Sequence, residues 1–124
     1  MGEEAELLKA RSMKFALDVC ALIKQLPYEK PGPTVRRQLA KSSTSVAFNY
    51  RAACRGRSHA EYTAKIGVVA EESDETLGWL ECIEAAKLIS QTKLADLLQE
   101  AKELCAIFSA SYGTARRKEG GNSR

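Results

Sequence analysis

Residues 42–80, SSTSVAFNYRAACRGRSHAEYTAKIGVVAEESDETLGWL, read as the second half of one helix, a tight turn and most of a second helix. Ser42, Val46, Tyr50 and Ala53 recur at the three-to-four spacing that lines one helical face. Arg55-Gly56-Arg57 breaks the pattern, and Gly56 suits the left-handed position that closes a helix. Ser58 followed by Glu61 is a capping box: the serine oxygen accepts from an early amide and the glutamate reaches back. Ile66, Val69, Ser73, Leu77 and Leu80 then restore the helical period. The charge also switches here. Residues 30–65 hold eight basic groups and one acidic, whereas residues 66–112 hold three basic and nine acidic.

Upstream, Pro33 can open the helix at its first position, where a missing amide costs nothing, and Val35 and Leu39 extend the inward stripe. A preceding helix is expected from Glu3 to Leu26, with Leu8, Ser12, Phe15, Val19, Leu22 and Leu26 on one face. It is stopped by three prolines between Pro27 and Pro33. Downstream, the third helix is expected to run to about Ile89, roughly 48 Å in all. Ser90-Gln91-Thr92 is a short connection to a fourth helix with Leu94, Leu98, Ala101, Cys105, Phe108 and Tyr112 inward. From Gly113 the chain offers no apolar anchor, so residues 113–124 are expected to form a disordered basic tail. The fold class is therefore all-α: one domain over residues 1–112, an antiparallel up-down-up-down four-helix bundle.

Composition narrows the function. At 124 residues the chain can bury one core. No apolar run approaches the roughly 20 residues that span a bilayer, and the acidic, amphipathic N-terminus is neither a secretory signal nor a transit peptide. A cytoplasmic protein without a membrane role is expected. Cys20, Cys54, Cys82 and Cys105 form no CxxC pair and read as reduced, apolar-face residues rather than metal ligands. His59, the single histidine, reads as a surface turn residue. With no histidine in the core, neither di-iron chemistry nor covalent serine or cysteine catalysis has a base. No catalytic residue, metal, cofactor or small-molecule substrate is expected.

Several runs carry a family resemblance. They are Arg37-Gln38-Leu39, Ser43-Thr44-Ser45-Val46, Asn49-Tyr50-Arg51-Ala52-Ala53, Arg57-Ser58, Glu61, Lys65-Ile66-Gly67, Glu71-Glu72, Asp74-Glu75-Thr76 and Trp79-Leu80. In these residues, spread over a run of about a third of the chain, it resembles the bacterial four-helix-bundle proteins that include the ribosomal RNA intervening-sequence proteins. Ala47-Phe48 departs from the small residues usual there. The resemblance implies a bundle that assembles into a ring, often a homopentamer. Some members are encoded within inserts of large-subunit ribosomal RNA genes, and a distant branch assists a reverse transcriptase and binds nucleic acid. It implies no enzymatic activity.

Three constellations follow. Arg37, Lys41, Arg51, Arg55 and Arg57, with Phe48 among them, form a basic face suited to RNA or DNA phosphates and to stacking on a base. The alternative is that this face pairs with the acidic third helix, in the same subunit or another. Asn49, Arg51, Glu72 and Glu75 are expected to form a structural polar network between helices two and three. Phe48, Tyr62 and Trp79 either widen the core or fill an interface between copies. Two other functions compete: a protein-binding adaptor without nucleic-acid binding, and a magnesium-dependent nucleotide pyrophosphohydrolase. The second would use the carboxylates of Glu72-x-x-Glu75 and Glu100-x-x-Glu103.

Overall fold

The computed structural model describes the backbone of residues 2–122 and the side chains to residue 119. It contains four helices: α1 Glu3–Ile23, α2 Gly32–Cys54, α3 His59–Ala85 and α4 Gln91–Asn122. No strand occurs among the described residues. Each helix touches its chain neighbours and α1 also touches α4, so the four close around one core as a bundle.

The stripes expected from spacing are the ones buried. Ser12, Phe15, Val19 and Leu22 of α1, Val35, Leu39, Ser42, Val46, Tyr50 and Ala53 of α2, and Ile66, Val69 and Leu80 of α3 face inward. Leu94, Leu98, Ala101 and Phe108 complete the core from α4. Ser12, Ser42, Ser43 and Thr63 are buried with them, and each hydroxyl donates to a carbonyl three or four residues back in its own helix. Thr76 and Ser42 join α3 to α2 through a buried hydroxyl contact of 2.9 Å. These small residues let the α2 and α3 backbones approach closely.

The helix ends show what the pattern of apolar residues conceals. After α1, the guanidinium of Arg36 donates to the carbonyls of Ile23 at 3.3 Å and Leu26 at 3.0 Å. A cation therefore satisfies the carbonyl end of α1 and favours its negative pole. After α2, Gly56 is not left-handed: among the described residues Gly2 is the one glycine with positive φ. Gly56 is needed for closeness, because a Cβ there would lie 3.2 Å from the Ala53 carbonyl and 3.2 Å from the Tyr62 amide. Ser58 does cap α3, accepting from the Glu61 amide at 3.1 Å, while the Glu61 carboxylate accepts from the Arg57 amide at 3.3 Å.

α3 stops at Ala85, short of the expected Ile89. Lys87 adopts φ 55°, and the amides of Lys87 and Leu88 donate to the carbonyls of Glu84 and Ile83, the paired bonds of a left-handed helix stop. A lysine occupies the position where glycine would have signalled that stop. Lys87→Gly is expected to raise unfolding stability by about 1 kcal/mol, because it removes the cost of holding a Cβ in that conformation. Urea denaturation giving a midpoint at or below the parent value would refute this.

The largest correction concerns the C-terminus. Residues 113–122 were expected to be disordered, but α4 continues through them to Asn122 and is the longest helix. Ala115 is 3% exposed and belongs to the core. Gly67 of α3 leaves room for the Tyr112 ring, which would lie 2.9 Å from a Cβ at that position. A small buried residue and an aromatic laid over a glycine anchor a helix that carries no large apolar group after Tyr112. Residues 123 and 124 of the expected tail lie outside the described residues.

Candidate nucleic-acid interface

Arg37, Lys41, Arg51, Arg55 and Arg57 are all exposed. Successive helical turns bring Arg37, Lys41, Phe48, Arg51 and Arg55 to the outer side of α2, opposite the buried Leu39–Val46–Tyr50 stripe. Phe48, within this face, is 56% exposed. Among the described residues, Arg37, Lys41, Arg51 and Arg55 have no carboxylate partner within 4.0 Å, and Arg57 pairs only with neighbouring Glu61, at 3.8 Å. The expected alternative, a basic α2 neutralised by acidic α3 of its own subunit, is therefore not formed. Arg36, one position away, is committed elsewhere: it caps α1 and lies 5.8 Å over the Tyr28 ring.

The expected polar network between α2 and α3 does not form within the chain. Asn49 donates to the carbonyl and hydroxyl of Ser45 in its own helix, both at 2.9 Å. Arg51 and Glu75 are exposed. Partial burial and then the charge of Glu75 push the Glu72 carboxyl above its ordinary range, with Lys41 pulling it back and Glu71 adding to the rise. Lys41 and Glu72 thus feel each other across the α2–α3 seam without an ion pair. The physical reason is competition: a short amide side chain on a helix finds its nearest partner one turn back.

The three aromatic candidates separate. Tyr62 and Trp79 are half-buried and pack against the core. Trp79 also borders a shallow groove with Gln38, Asp74, Glu75 and Cys82. Phe48 alone of the three stands mainly in solvent.

The two carboxylate pairs of the hydrolase alternative are not brought together. Arg11 binds both oxygens of Glu100 at 2.7 Å and one of Glu103 at 2.8 Å, across the α1–α4 seam. These ion-pair hydrogen bonds, Glu100 first, hold the guanidinium firmly protonated. Glu72 and Glu75 sit on α3 beside α2 instead. No group of three or more potential metal-ligating side chains occurs among the described residues. Glu100 is thus engaged by a cation of α1. Its partner is 89 positions away, so no local signal could have revealed the clamp.

His59 is the first residue of α3, and its Nε2 lies 3.0 Å from the Ala115 carbonyl of α4. Nε2 must carry the proton to donate there. This contact ties the start of α3 to the C-terminal part of α4.

The family is decided by a match over residues 6–110 to the model of the 23S rRNA-intervening sequence proteins. The chain belongs to that family. A crystal structure at 1.70 Å, of a protein of unknown function from the S23 ribosomal protein family of Bacteroides thetaiotaomicron, is similar to it. The two share 25% identity with a TM-score of 0.76, over 84% of this chain and 96% of the other. No curated protein matches the chain. The family match covers the basic face of α2 and ends before the last turns of α4. No helix among the described residues is long and apolar enough to cross a membrane.

Proposed function

We propose that this intervening-sequence family member is a non-enzymatic, cytoplasmic scaffold whose helices run alternately up and down, and which self-assembles and binds RNA or DNA through the outer face of α2. The observation that carries the reading is four exposed basic side chains, Arg37, Lys41, Arg51 and Arg55, without a carboxylate partner in their own subunit. Leaving such charges unpaired favours an anionic partner, and phosphates bound there release condensed counterions. Phe48, exposed within the face, adds a surface on which a base can stack. Assembly, as a pentamer by family resemblance, would multiply the basic faces and raise avidity. Of the aromatic candidates, half-buried Tyr62 and Trp79 would meet another copy and leave Phe48 to the base, and four free cysteines suit a reducing compartment.

The test is retention of RNA and DNA as salt is raised. Binding is expected to fall steeply with salt, and the R37E/K41E/R51E variant is expected to lose most of it. Light scattering is expected to return a mass several times 13.6 kDa. Binding indifferent to salt and to those substitutions would favour a protein-binding adaptor. A monomer at micromolar concentration would remove the assembly.

A further inference from the structure

The last turns of α4 form a second basic surface, fixed against the start of α3. Arg116, Arg117 and Lys118 are consecutive and exposed. At about 100° per residue they spread over about 200° of the helix: Arg117 points away from the buried Ala115, and Arg116 and Lys118 lie on opposite flanks. The segment is held in place. The His59–Ala115 contact pins one side of it, and the Tyr112 ring fills the space left by Gly67 on the other. The Arg116 guanidinium lies 5.7 Å over that ring and donates to its hydroxyl at 3.1 Å. Lys118 borders a groove of about 530 Å³ with His59, Tyr62 and Thr114, where the His59 and Tyr62 rings stand 6.3 Å apart.

The same contact places this surface beside the α2–α3 turn. Arg57 precedes His59 by two residues, and Arg55 caps the end of α2. The nearby acidic groups are Glu61, which is engaged by Arg57, Glu71 and Glu119, which border the same hollow as Arg116, and Glu4 of α1, which lies near Tyr50. The cations outnumber them, and Arg116 and Arg117 are held by hydrogen bonds to Tyr112 and Thr114, so those two are positioned before any ligand arrives.

We propose that Arg55, Arg57, Arg116, Arg117 and Lys118 form a phosphate-binding surface for single-stranded RNA or DNA, with the His59–Tyr62 groove receiving an unstacked nucleotide. The proposal rests on the nucleic-acid reading above and adds a segment that lies beyond the family match. Charge complementarity selects a polyanion. A groove bordered by two rings and a lysine selects a strand whose bases are free to leave the stack.

The test is a titration of the full chain with labelled single-stranded RNA, and with DNA of the same sequence, across a range of salt. It compares the parent, R116E/R117E/K118E, R116Q/R117Q/K118Q and R37E/K41E/R51E, each checked for helicity and melting temperature. Loss of three phosphate contacts is expected to make the log–log salt slope of either α4 variant shallower by about 2. The charge-reversal variant is expected to bind about tenfold or more weakly at roughly 0.1 M salt. Parent-like slopes in both α4 variants, with binding lost only in the α2 variant, would overturn this surface and leave the α2 reading standing. Binding lost in the α4 variants and kept in the α2 variant would support this surface and overturn the other. A parent chain that binds neither strand would overturn both.

Discussion

Phe108→Ala is expected to cost about 3–5 kcal/mol and lower the melting temperature on the order of 15 °C. Phe108 is among the largest side chains with no solvent exposure, and it projects from α4 into the centre of the bundle. Its ring centroid lies 5.1 Å from that of Tyr50 at 47°, a tilted arrangement that adds to the gain from burial. Tyr50 itself is 5% exposed, and burial pushes its phenol well above the ordinary range. Truncating Phe108 would open a cavity beside this buried phenol and remove the link between α2 and α4 across the core. Phe48→Ala supplies the contrast. The ring is 56% exposed, so the change is expected to move the stability of an isolated subunit by less than about 0.5 kcal/mol. Thermal unfolding followed by circular dichroism measures both. A Phe108→Ala protein melting within a few degrees of the parent would mean that this residue is not at the centre of the core.

Phe108 and Tyr50 were both legible from spacing, because a helix repeats its apolar face and a large residue in that face is buried. The whole α2 stripe from Val35 to Ala53 is buried as read. What spacing could not supply were features made by backbone conformation or by distant residues. The stop after α3 uses Lys87, whose side chain carries no sign of positive φ. The last turns of α4 continue the Cys105–Phe108–Tyr112 spacing to Ala115, a residue too small to signal burial, and the contacts that hold them, Tyr112 over Gly67 and His59 on the Ala115 carbonyl, come from α3. The clamp from Arg11 to Glu100 and Glu103 joins opposite ends of the chain. For the α2 basic face, sequence supplied the residues but not their partners. The four unpaired side chains became apparent only when no carboxylate of α3 lay within 4.0 Å. Asn49 shows the reverse error: a polar residue read as a bridge between helices is satisfied within its own.

Two glycines are expected to respond to alanine with opposite signs. Helix propensity favours alanine over glycine by about 1 kcal/mol at any unconstrained helical position. Gly78 lies mid-helix in α3, and a Cβ there would meet nothing within 4 Å. Gly78→Ala is therefore expected to stabilise by about 0.5–1 kcal/mol. Gly32 is buried at the first position of α2, where a Cβ would stand 1.8 Å from the Pro27 carbonyl oxygen and 2.9 Å from its carbon. Both are backbone atoms, so no side chain can turn aside to make room. The connection between α1 and α2 must move, and with it the Gly32 amide bond to the Glu29 carbonyl at 3.0 Å. Arg36 is only one turn further along α2, so the same displacement pulls its guanidinium from the Ile23 and Leu26 carbonyls and uncaps α1. Overpacking against main chain together with the lost cap is expected to cost about 3 kcal/mol or more. Urea unfolding of the two variants separates the effects, because propensity alone would move both midpoints upward. Should Gly32→Ala unfold at or above the parent midpoint, the close crossing of Gly32 over Pro27 is not what fixes the angle between α1 and α2.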